Sequence, residues 1–181
     1  FGEGDGGDLI INAEQTVQVI GTSASGEFGS SLSAQANSDS KGNAGHLTIT
    51  TGELIVKDGA QVSAATLGEG NGGNLTVDAD STVQLIGITP DDQFPTGLFT
   101  QAQATGDAGE LLKITTGQLF IKDGAIVSAR STQQGSSAGT VDINANSIFL
   151  DNGGRITAET AGDKGNIILE AGDIRLLKES K

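Results

Sequence analysis

Few residues in this chain have side chains suited to chemistry. Asp142 and Glu170 fall in neighbouring repeats of the sequence, and so do Arg130 and Glu159, with Arg155 near the adjoining turn. Paired carboxylates, or a carboxylate beside an arginine, are the groups that cleave sugar polymers by acid–base chemistry. The same residues also suit cross-strand ion pairs on a solvated face. No repeat offers three polar groups converging in a groove, so no catalytic residue is expected. His46 is the only histidine and there is no cysteine. Thiol catalysis, disulfides and thiolate metal sites are therefore excluded, and one turn histidine makes no Ser/His/Asp arrangement.

A second candidate chemistry is calcium binding. The segments GEGDGGDL from Gly2 and GEGNGGNL from Gly68 are like the glycine-rich nonapeptide of calcium-binding β-rolls. That motif shares each ion between copies nine residues apart, whereas these copies lie 66 apart. Asp5 and Asp8 are the candidate ligands. The alternative is a tight turn, since glycine alone reaches positive φ cheaply. No other cofactor is expected. The balance of 10 Lys+Arg against 23 Asp+Glu gives a net charge of −13. Such a surface attracts cations diffusely and disfavours nucleic acid and anionic membranes. No apolar run is long enough to span a bilayer.

The elements that position these residues come from internal repeats. Phe1–Gly21 and Leu67–Gly87 match at 12 of 21 positions. Ala44–Thr66 and Ala108–Ser131 form a second pair, offset by one inserted residue near Leu112 that predicts a local bulge. A weaker copy starts at Ala138. Repeats begin near Gly7, Gly45, Gly73, Gly109, Gly139 and Gly165. The first and third carry insertions at residues 22–31 and 88–97, each with one phenylalanine, Phe28 and Phe94. The opening residues match the tail of a preceding repeat, so the array is expected to continue upstream of Phe1.

Within each repeat, apolar residues alternate with period two in three short runs, the pattern of half-buried strands. In the first repeat these are Leu9/Ile11, Val17/Val19 and Leu32/Ala34. Asp58-Gly59, Asp123-Gly124 and Asn152-Gly153 supply turns. No helical periodicity is present. One repeat cannot bury its own apolar face, so the repeats must stack. The expectation is a single all-β domain over residues 1–181. It would be a right-handed parallel β-helix with three short strands per rung and five to six rungs, right-handed by the general rule for parallel crossovers. Outward apolar residues Ile20, Ile55, Ile86, Phe120, Phe149 and Leu177 predict a strip on one face. It serves either as an interaction surface or as ground that the insertions cover.

The phrases GNAGHLTITTGELIVKDGAQVSA, LGEGNGGNLTV and QFPTGLFTQAQATGDAGEL resemble the repeat region of filamentous-haemagglutinin-like exoproteins, especially the large cyanobacterial S-layer or haemagglutination-activity type. The resemblance covers nearly the whole chain. It implies two-partner secretion across an outer membrane, with the secretion partner acting on a region outside these residues. It also implies a secreted or outer-cell-surface location and adhesion rather than catalysis. Expected partners are cell-surface or extracellular-matrix components, including polysaccharide or like fibres. The family's Asn-Pro-Asn secretion signature is absent here, which places the chain in the stalk. A carbohydrate- or cation-binding module and a fragment of a polysaccharide lyase or hydrolase are the alternatives. The lack of Trp and Tyr to line a sugar cleft counts against the last.

Overall fold

A computed structural model describes residues 4–23, 29–89, 94–162 and 164–181. Among them every regular element is a strand. Six long strands come from the first two apolar runs of each repeat: β1 (Leu9–Ile20), β3 (Leu47–Lys57), β5 (Leu75–Ile86), β7 (Leu111–Lys122), β9 (Gly139–Asp151) and β11 (Gly165–Leu176). Five six-residue strands come from the third run: β2 (Ser31–Ala36), β4 (Gln61–Thr66), β6 (Gly97–Ala102), β8 (Ile126–Ser131) and β10 (Arg155–Thr160). The long strands form one parallel sheet in chain order, and the short strands form a second. This is the arrangement of a β-helix or solenoid.

Register follows the apolar pattern. Leu9, Leu47, Leu75, Leu112, Val141 and Ile167 stack in one column, and Val17, Leu54, Val83, Leu119, Ile148 and Ile174 in another. Leu32, Val62, Leu98, Val127 and Ile156 line the opposing sheet. The inner faces meet in one continuous apolar core. A one-residue slip would turn a whole column to solvent, so burial fixes the register.

The structure joins the expected first and second strands into one. The junction carries a register irregularity rather than a turn. Glu14-Gln15 in β1 lies opposite the single Gly52 of β3, and Asp80-Ser81 in β5 opposite Gly52 and Gly117. Two residues facing one is a bulge, which bends the strand without ending it. The inserted residue of the fourth repeat also sits earlier than expected. Leu75–Ala79 pairs unbroken with Leu112–Thr116, and the extra residue falls at Glu110-Leu111, where no apolar column constrains it.

The described ends of the two insertions are bridged antiparallel, at Thr22–Gly29 and Ile88–Pro95. The methyl groups of Thr22 and Thr89 both crowd the turn at Gly59, whose φ is +82°, and the Gly59 N–H donates to Thr96 Oγ1 at 2.8 Å. The described stems therefore seat on the turn of the short repeat between them. Phe28 lies outside the described residues.

Inward positions that break the apolar pattern include Thr51, Thr116 and Thr100. Thr100 occupies the column of Ala34, Ala64, Ala129 and Ala158, is fully buried, and its hydroxyl has no hydrogen-bond partner. A buried unpaired hydroxyl costs about 1–3 kcal/mol. Thr100→Val, of nearly the same shape, is expected to raise stability by about 1 kcal/mol in urea denaturation; a lower midpoint would show that the hydroxyl is satisfied in solution.

Candidate functional site

Three polar or semi-polar regions arise from this stacking. The first is the turn that leads from each short strand into the next long one. Here successive repeats are tied by side chains that accept from the backbone of the next repeat. Asn43 N–H donates to Asp5 Oδ1 (2.7 Å), Asn71 N–H to Asn43 Oδ1 (2.9 Å), Asp107 N–H to Asn71 Oδ1 (2.9 Å) and Ser137 N–H to Asp107 Oδ1 (2.6 Å). A parallel ladder runs from Asp8 to His46 to Asn74 to Leu111. His46 N–H donates to Asp8 Oδ1 (2.8 Å), Asn74 N–H to His46 Nδ1 (3.0 Å) and Leu111 N–H to Asn74 Oδ1 (3.0 Å). Between the ladders the backbone must approach closely. A Cβ at Gly45, Gly73 or Gly109 would fall on the carbonyl oxygen of the preceding glycine in the column.

The polar cavity beside these ladders is open and measures about 570 Å³. Asp5 and Asp8 line it, but each uses a carboxylate oxygen to hold the next repeat. Among the described residues no three His, Asp or Glu side chains gather as a metal-binding group. His46 is an acceptor in a structural ladder, in the slot that Asp8 and Asn74 occupy elsewhere.

The second region is the outer face of the long sheet. The structure splits the expected apolar strip into two columns. Ile55, Phe120 and Phe149 share one with Gln18, Gln84 and Arg175, whereas Ile20 and Ile86 share the next with Lys57, Lys122 and Asp151. Leu177 continues the second column through its bond to Leu150 O. Alternation in the sequence distinguishes inward from outward, but not one outward slot from the next, and the strip merged the two. What remains is a Phe120–Phe149 stack, with centroids 5.3 Å apart and planes within 12°. Lys122 lies 5.0 Å over Phe120 and Arg175 5.4 Å over Phe149. The ring faces are thus already engaged, and the aromatics support the stack.

The third region is a shallow groove of about 230 Å³ on the outer face of the short-strand sheet. Arg130 of β8 and Glu159 of β10 are register partners, with Nε and Oε2 3.9 Å apart. Arg155 starts β10 in the column of Gln61, Gly97 and Ile126. Gln101, Ser128 and Thr157 complete the polar lining, and Pro95, Phe99 and Ile126 the apolar part. Thr157 donates to Ser128 (3.0 Å), and Gln61 Nε2 to the Pro95 carbonyl (3.1 Å).

The polar groups of this groove come from four repeats and not from one, a convergence that a repeat-by-repeat reading does not display. The signal that was missed is the first position of the third run, where Gln61 and Arg155 align only once the short strands are stacked. The other carboxylate pair is not brought together. Asp142 lies opposite Ile168, and Glu170 opposite Asn144, whose amide donates to it at 3.1 Å.

No protein-family model, curated protein or solved structure matches this chain.

Proposed function

We infer that the chain is a structural stalk segment, not an enzyme, of a secreted, surface-associated adhesin of the filamentous-haemagglutinin type. The observation that supports this reading best is the parallel pairing of the six long strands in chain order, from Leu9 to Leu176, with one core running through the stack. In such an array each repeat is held chiefly by its neighbours, and stiffness along the stack is the property gained. The bulges in β1 and β5 fit a three-sided rung, in which each long strand supplies two sides and each short strand the third. A right-handed coil follows from the general rule for parallel crossovers. Six long strands at about 4.8 Å spacing give a rod of about 25 Å. The likeness of the repeat phrases to the haemagglutinin-type stalk adds the secreted location and the adhesive setting.

The test is incubation of the purified chain with acidic and neutral polysaccharides. No reducing or unsaturated sugar is expected above a boiled control. Release of either product would sink the stalk reading and direct attention to Arg130, Arg155 and Glu159. A second reading, an extracellular carbohydrate-binding module, is favoured by the groove on the short-strand sheet.

A further inference from the structure

We propose that the groove bordered by Arg130 and Arg155 binds the carboxylates of an acidic polysaccharide, of the polyuronate class. The proposal rests on the second reading above and is independent of the stalk. Its first support is the state of Arg155. The Nε of this arginine is shut off from solvent and has no hydrogen-bond partner, and no described carboxylate lies within ion-pair distance of it. Its Nε is therefore enclosed without a partner, and no described carboxylate neutralises its charge. An arginine held in that way presents a fork matched to a carboxylate without first having to break an ion pair.

The second support is the looseness of Arg130. Its one acidic partner, Glu159, sits at 3.9 Å, with both side chains more than half exposed (56% and 61%). Exposed pairs of this kind contribute little, and a ligand oxyanion can replace Glu159 at small cost. The third is local charge. In a chain of net charge −13, this groove holds two arginines against one carboxylate.

The surroundings fit sugar better than a bare anion. Gln61 and Gln101 offer amides for hydroxyls, and Pro95 and Ile126 offer an apolar wall for ring C–H groups. Elsewhere the acidic surface disfavours polymers of high charge density, such as nucleic acid, which need clustered cations along their length. A polymer with one carboxylate per sugar places its charges farther apart.

The experiment measures retention of the purified chain on immobilised polygalacturonate, dextran and dextran sulfate in calcium-free buffer, with free galacturonate as competitor. Retention is expected on polygalacturonate and not on dextran. Arg155→Gln and Arg130→Gln are each expected to weaken it about tenfold, the loss of one charge-assisted contact. Arg155→Lys, which keeps the charge and loses the fork, should fall between. Arg175→Gln, on the other sheet, should bind as the parent does. Equal melting temperatures would show that the variants fold alike. Full binding by both glutamine variants would overturn the proposal and leave the module reading intact. So would equal retention on dextran, or stronger retention on dextran sulfate. Competition by free galacturonate at the polymer's own sugar concentration would overturn the polymer assignment. Retention on none of the three would defeat the proposal and the module reading together.

Discussion

Gly73→Ala is expected to destabilise the stack by about 4 kcal/mol or more, at the upper end for a point substitution. The added methyl would fall on the carbonyl oxygen of Gly45, which is backbone and has no rotamer by which to withdraw. Relief requires two repeats to separate. Separation stretches the ladder bonds on either side, from Asn71 to Asn43 and from Asn74 to His46. Gly7→Ala is the matched control. Gly7 belongs to the same column, but its Cβ would meet nothing within 4 Å. Its effect should stay within about 0.5 kcal/mol, as for other substitutions that touch nothing. Urea denaturation of the two variants side by side separates stacking from helix- or strand-propensity effects, which they share. Similar midpoints for both would mean that the repeats do not approach as closely as described.

Leu119→Ala is the second large effect, at about 2–5 kcal/mol. Leu119 is fully buried between Val83 and Ile148 of the neighbouring long strands. The vacated space has little chance to close, since repeat spacing is set by backbone hydrogen bonds and not by side-chain volume. Because coupling in a stack is between neighbours, the fourth repeat should loosen before the rest. Hydrogen exchange is expected to rise first in β7 and its partners β5 and β9. Uniform acceleration from β1 to β11 would instead show one all-or-none unit.

Much of this was readable beforehand, for an identifiable reason. Inward residues such as Leu47, Leu75 and Leu112 obey period two and recur at the same place in each repeat, so burial alone dictates their columns. Two features lacked such a constraint. The outward slots at Ile55 and Ile86 look alike in sequence, yet the first sits between two inward residues and the second beyond them, so they belong to different columns. The groove depended on which third-run residues stand side by side. Arg155, Ile126, Gly97 and Gln61 share no residue type, and only their common place at the start of the short strands aligns them. Asp5 and Asp8 belong to a glycine-rich acidic phrase, and their part in joining one repeat to the backbone of the next shows only once the repeats are stacked.

The seating of Thr22 and Thr89 on either side of Gly59 sets a branching pitch. The two described stems lie two strand spacings apart, roughly 10 Å. That is about the thickness one layer of chain needs when packed face to face. Two insertion-bearing repeats in succession would bring their described stems to half that distance, one strand spacing. The short repeat thus acts as a spacer washer. Adding or deleting one repeat between β1 and β5 would change that pitch, whereas a change in the number of repeats beyond β7 would leave it as it is.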